Sequence, residues 1–137
     1  MIYAVIDTNV FVSALLSRHS NAATVQVVEA ISRKGIRPLF NDEIIAEYKD
    51  VLSREKFMFP QDRIRAIIDK VKDVGFSARR MPVTDYFPDS KDVVFYEVAM
   101  SKEDAYLVTG NKKHFPNKPI VVTPAEMLEI LQRKGIL

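Results

Sequence analysis

What most restricts the fold of this chain is an alternation. Short apolar runs at positions 2–6, 36–40, 105–109 and 120–122 recur between longer segments whose apolar residues return at helical spacing. Strands that alternate with helices of ten or more residues are joined by right-handed crossovers and form a mainly parallel sheet. The expected class is therefore α/β. At 137 residues the chain makes one ordinary domain, which buries close to ~70% of the surface its unfolded form exposes and needs no disulfide or metal staple.

The first run, Ile2-Tyr3-Ala4-Val5-Ile6, stops on Asp7-Thr8-Asn9 with no turn residue between. Open α/β sheets bind ligands at the carboxyl ends of their strands, so a carboxylate at Asp7 is placed for chemistry. The plain alternative is that Asp7 caps the helix that follows. That helix opens at Val10 and is interrupted by the polar cluster at 17–21. From Ala22 a second helical pattern runs to Arg33-Lys34-Gly35, a basic last turn with a glycine stop. The run Ile36 to Phe40 reads as a second strand, which Pro38 disfavours as a central one.

Asn41 or Asp42 caps the next helix, whose stripe is Ile44, Tyr48, Val51 and Leu52. Glu47 lies on or beside that stripe, either binding a cation there or reaching water from the flank. Pro60 begins a further helix, with Ile64, Ile67, Ile68, Val71 and Val74 in period and Gly75 at its end. Residues 76–81 read as a strand or an extended connection, and 84–91 as a polar loop. Asp92 heads an apolar helix that runs to about Met100, as a cap or as an acid facing a cleft. The strand at 105–109 ends on Thr109-Gly110-Asn111, and Thr123-Pro124-Ala125-Glu126 opens the last helix with a capping box. Arg-Lys-Gly-Ile occurs at both 33–36 and 133–136. Helix-stopping grammar explains both copies, with glycine as the left-handed cap.

With no cysteine, disulfides and thiolate zinc sites are excluded, and any metal must be held by oxygen or by the two histidines. No apolar run reaches the ~18 residues of a membrane span and no leader-like segment opens the chain, so a complete, cytoplasmic protein without membrane contact is expected. A net charge of +2 does not by itself mark a nucleic-acid binder.

In a parallel sheet the strand ends at Asp7 and Thr109 share a rim with the helix starts near Asn41 and Asp92. Asp7, Asp92 and the corner at Thr109 to Asn111 therefore converge, with Glu47 rising from the second turn of its helix. Acids crowded within a few ångströms do not all stay ionised unless a divalent cation neutralises them. Oxygen-only ligation favours Mg²⁺ or Mn²⁺. Such an ion makes a nucleophile of water and neutralises a phosphoryl oxygen, the two needs of phosphodiester hydrolysis. No Ser-His pairing or glycine-rich phosphate loop is present.

Four segments, Val5-Ile6-Asp7-Thr8-Asn9-Val10, 43–52, 89–99 and Tyr106-Leu107-Val108-Thr109-Gly110-Asn111-Lys112, resemble the ordered motifs of the PIN-domain family, a resemblance that runs from about residue 2 to residue 128. It implies a three-layer α/β/α sandwich around a mainly parallel twisted sheet, and a metal-dependent nuclease that cuts single-stranded RNA. Many such proteins are toxins of toxin-antitoxin pairs, inhibited by a small antitoxin protein and often homodimeric. Carried over position by position, the metal-binding acids fall on Asp7, Glu47 and Asp92, and the fourth on Asn111, where the family usually has Asp. That departure removes one negative charge and implies a weaker second metal site. Asp89 either compensates or is simply solvated.

Supporting roles fall to Thr8 and Asn9, which orient Asp7 or form a turn, and to Thr109, which holds a water or ends its strand. Lys112 and Lys113 are the candidates for the nucleic-acid backbone, with Arg18, His19, Arg79 and Arg80 more distant. His19 and His114 read as surface residues. Two further readings stand beside the endoribonuclease. One is a catalytically silent RNA- or partner-binding module that lost its fourth acid. The other is phosphotransfer through Asp7, against which Asn9 counts, since that chemistry wants a second acid two residues on.

Overall fold

In the computed structural model, which describes residues 1–137, the alternation becomes five parallel strands and six helices. The strands are β1 (Ile2–Ile6), β2 (Ile36–Phe40), β3 (Phe76–Ser77), β4 (Tyr106–Val108) and β5 (Val121–Val122). The helices are α1 (Thr8–Leu16), α2 (Ala23–Ser32), α3 (Asp42–Leu52), α4 (Gln61–Val74), α5 (Val93–Met100) and α6 (Pro124–Arg133). Spatial order in the sheet is β3-β2-β1-β4-β5. The central strand, β1, is buried at four of its five positions, as a strand covered on both faces must be.

This order fixes the layers. From β1 the chain steps outward to β2 and β3, then returns past β1 to β4 and β5, so right-handed crossovers place the helices of the two halves on opposite faces. Helix α5 packs on β1, β2 and β4, whereas α2 and α4 pack on β2 and α6 packs on α2. The result is the expected three-layer sandwich. Its direction of winding reverses between β1 and β4, and ligands of open α/β sheets bind outside the carboxyl ends of strands at such a reversal. Asp7 follows β1 and Thr109 follows β4.

Two expectations fail here for local reasons. Pro38 sits in an interior strand, with Ala4 of β1 as its partner. It is tolerated because pairing with β3 begins only at Leu39. On that side the Pro38 carbonyl faces Gly75, where an added Cβ would come within 2.6 Å of its oxygen, so the missing N–H falls where no strand yet runs. The two Arg-Lys-Gly-Ile copies also differ. At 133–136 Gly135 takes the left-handed conformation (φ 72°), but at 33–36 it is Lys34 (φ 63°). Gly35 is needed for room instead, since a Cβ there would meet Ile136 Cγ2 at 2.9 Å. The second copy packs against the first.

The helix caps match expectation. The Asn41 side chain accepts from Ile44 N at 2.8 Å, and Thr123 and Glu126 form a capping box with proline in the first turn. Of residues 76–81 only two form a strand. A 3-10 turn over Ser90–Asp92 precedes α5, so the helix starts at Val93 and not at Asp92.

Candidate active site

Asp7 stands at the N-cap position of α1, yet its side chain makes no capping hydrogen bond. The plain alternative for this residue therefore fails. Its Oδ2 instead accepts from Thr109 Oγ1 at 2.8 Å, a buried bond between residues that follow β1 and β4. Thr109 Oγ1 in turn accepts from Asn111 N at 3.0 Å. Asn9 Oδ1 accepts from Gly110 N at 3.1 Å and closes the same corner. Thus Thr109, rather than Thr8 or Asn9, orients Asp7. Asn9 holds the β4 corner, and the buried Thr8 hydroxyl has no partner at all.

Burial pushes the Asp7 carboxyl from 3.8 up to about 6. The Thr109 bond works against this, the charge of Asp92 adds to it, and the Thr8 backbone and His114 oppose it. Buried carboxylates normally keep a compensating partner. For Asp7 the Thr109 hydroxyl, with lesser help from the Thr8 backbone and His114, does not offset burial beside another acid.

Asp92 repeats the pattern at the head of α5, an N-cap without a side-chain cap bond. Its carboxyl is also raised, first by burial, then by the charge of Asp89; His114 lowers it and Glu47 raises it. His114 Nδ1 lies 3.3 Å from Asp92 Oδ2, but the geometry is not that of a hydrogen bond, and this buried oxygen has no hydrogen-bond partner. His114 is exposed, as its sequence context suggests, but its ring lies against Asp92. It is brought in by Phe115, which packs against Phe87 with ring centroids 6.3 Å apart. Asp89 serves the turn below Asp92, its Oδ1 accepting from Lys91 N at 2.9 Å.

Glu47 is half-buried on α3, close enough to Asp92 to act on its charge. The next residue, Tyr48, was legible only as a core position. It is fully buried, its hydroxyl donates to the carbonyl of Ile6, and its ring meets Phe11 of α1 at 5.0 Å and Phe95 of α5 at 6.2 Å. One side chain therefore ties α3 to the residue before Asp7 and to the helix that Asp92 heads. Lys112 and Lys113 are exposed beside Asn111, and Lys112 Nζ is paired with Glu126 at 3.1 Å. Arg80, a distant candidate for the phosphate track, is engaged elsewhere, with Glu97 at 2.6 Å and Glu43 at 2.8 Å.

The structure thus gathers Asp7, Asp92, Thr109 and the Asn111 corner, with Glu47 and Asp89 acting on Asp92. No three His, Asp or Glu side chains, the expected trio Asp7, Glu47 and Asp92 included, stand together closely enough to hold one metal ion between them. The donors nonetheless suit a hard cation. They are oxygens, two acids are held above their ordinary range, and buried oxygens of Asp92 and Thr8 lack hydrogen-bond partners. Mg²⁺ commonly takes one or two carboxylates and keeps several waters.

A family model described as PIN domain matches residues 3–113, most of the chain, and the chain belongs to that family. PIN domains are generally metal-dependent nucleases that bind RNA, so the coarse assignment is a nuclease. No curated protein matches the sequence. No helix is long and apolar enough to cross a membrane.

Proposed function

We propose that this chain is a cytoplasmic endoribonuclease that hydrolyses phosphodiester bonds of single-stranded RNA with Mg²⁺ or Mn²⁺, held by Asp7, Asp92 and Glu47 with Asn111 as a neutral fourth donor. The observation that carries the reading is the under-neutralised pair Asp7 and Asp92 at the β1/β4 reversal, where burial holds both carboxyls up and no arginine or lysine answers them. When bound, the ion supplies what the chain lacks: a water acidic enough to attack phosphorus at neutral pH, and positive charge for the phosphoryl oxygens.

The chain's own groups do the rest. Thr109 favours the ionised form of Asp7 and fixes its rotamer. Lys113, and Lys112 when released from Glu126, contact the RNA backbone near the cut. With asparagine at 111 the site carries one charge fewer, which favours one ion until substrate phosphate adds its own. The toxin role, an inhibiting antitoxin and a homodimer belong to the same reading.

The test is cleavage of labelled single-stranded RNA and DNA oligomers side by side with and without Mn²⁺. Metal-dependent RNA cleavage that Asp7→Asn abolishes is expected; undiminished cleavage by that variant rejects the assignment. A silent RNA- or partner-binding module is the second reading, favoured by Asn111 and by the absence of a closed ligand set. Calorimetry with Mn²⁺ separates the two, because a silent module shows no heat that depends on Asp7.

A further inference from the structure

The extended connection between β3 and the 3-10 turn carries a side chain that joins two helices at once. Arg80 Nε donates to Glu97 Oε1 of α5 at 2.6 Å. Its Nη1 donates to Glu43 of α3, to Oε2 at 2.8 Å and Oε1 at 3.1 Å. Glu97 also grips the connection itself, since its Oε2 accepts from Val83 N at 3.0 Å and its backbone carbonyl accepts from Met81 N at 3.0 Å. Glu97 is 8% exposed, so its charge would be costly without this partner.

The two helices joined are those that bear Glu47 and Asp92. Glu43 lies four residues before Glu47, one turn away on the same side of α3. Glu97 lies in the second turn of α5, which Asp92 heads. Apart from the guanidinium, the charged connection between these helices has no other member among the ion pairs. A guanidinium is a rigid planar fork that engages two carboxylates in fixed directions.

We propose that Arg80 is a positioning residue for the acid site: held between Glu43 and Glu97, it sets the spacing of α3 and α5 and thereby the separation of Glu47 from Asp92. Arg80 touches neither acid and acts only through the helices. The inference rests on the reading of Glu47 and Asp92 as cation-holding acids. It has a sign that simple electrostatics lacks. Removing a positive charge near an acidic pocket strengthens cation binding, whereas removing a strut weakens it.

The experiment is calorimetric titration of the full chain with Mn²⁺ alone, without RNA, on the parent protein, Arg80→Met, Arg80→Lys, Asp7→Asn and Asp92→Asn, with thermal unfolding of each. Expected is a roughly tenfold weaker Mn²⁺ affinity in Arg80→Met, at the lower end of what lost support of metal ligands costs. A similar direction is expected in Arg80→Lys, which keeps the charge but not the fork. Affinity equal to or above the parent's in either folded variant, while Asp7→Asn and Asp92→Asn lose binding, overturns the strut and leaves the site intact. If Asp7→Asn and Asp92→Asn bind Mn²⁺ as the parent does, the site reading fails and the strut with it. Arg80→Lys carries the test should Arg80→Met not fold.

Discussion

Asp7 and Glu97 expose the same small fraction of their surface, 8% each, and their environments are opposite. Burial pushes the Glu97 carboxyl up, but bonds from Arg80 and Val83 N, with the Arg80 charge, outweigh it and hold the group below its ordinary range. Asp7 receives one hydroxyl and a neighbouring acid and is held up at about 6. The same chain thus pairs one little-exposed acid with a base and leaves the other short of positive charge. Burial alone does not single out a carboxylate for chemistry; burial without a matching cation on the protein is what supports the proposed role of Asp7.

The sharpest way to break this comparison is Asp7→Asn. RNA cleavage should fall on the order of 100-fold or more, the loss of several kcal/mol of transition-state stabilisation. Without metal at neutral pH the variant should be more stable than the parent, by up to about 3 kcal/mol, because a shift of roughly two pKa units is removed. Unfolding in urea measures the second effect, and a destabilised Asp7→Asn variant would show that the carboxylate is structurally compensated after all.

Glu97→Gln should do the reverse and lower stability by about 1–3 kcal/mol, less than the 3–5 of a fully enclosed pair because Arg80 retains Glu43 and some water. Chemical denaturation checks it. The pH dependence separates the two acids further. Asp7 has a folded pKa above its unfolded value, so the metal-free protein binds more protons when folded between about 3.8 and 6. Stability from this group is present below that window and is lost as pH rises through it. Glu97 is depressed, so its contribution is present above 4.5 and is lost as pH falls through its lower folded value. Asp7→Asn should flatten the first slope and Glu97→Gln the second, with saturating Mn²⁺ flattening only the first.

The smallest expected effect is that of Thr109→Val. It removes the bond to Asp7, about 1–2 kcal/mol when the carboxylate is ionised, together with the weaker bond from Asn111 N, and moves the acid limb of the rate profile to higher pH. An unmoved limb would mean that Thr109 does not set the ionisation of Asp7.

Much of this was legible in the sequence because it depends on period and position. Alternating runs gave the layers, and Asp7 and Asp92 stand where a parallel sheet sends its strand ends and helix starts. What escaped were contacts between groups far apart in the chain. Thr109 pairs with Asp7 across a hundred residues, and neither neighbour of Asp7 reveals it. Residue type alone disfavours Pro38 within the sheet, although its tolerance depends on where β3 begins. The fate of Gly35 was decided by Ile136, from the other copy of the same tetrapeptide. Glu97 had a local signal that deserved weight, since it is the single charge in the helix Val93–Met100. An acid in such a helix asks for a base, and Arg80 is that base.

The packing of Phe87 on Phe115 links two surfaces with different duties. Phe115 follows directly on the turn that carries Lys112, Lys113 and His114, while Phe87 leads into the turn that presents Asp92. If Lys112 and Lys113 hold a polynucleotide as proposed, a pull on the first loop reaches the second through the Phe87–Phe115 contact. On the proposed reading, grip on the strand and placement of the acid are coupled through this pair, and a loosened aromatic contact would blunt catalysis even in a protein whose lysines and carboxylates were all intact.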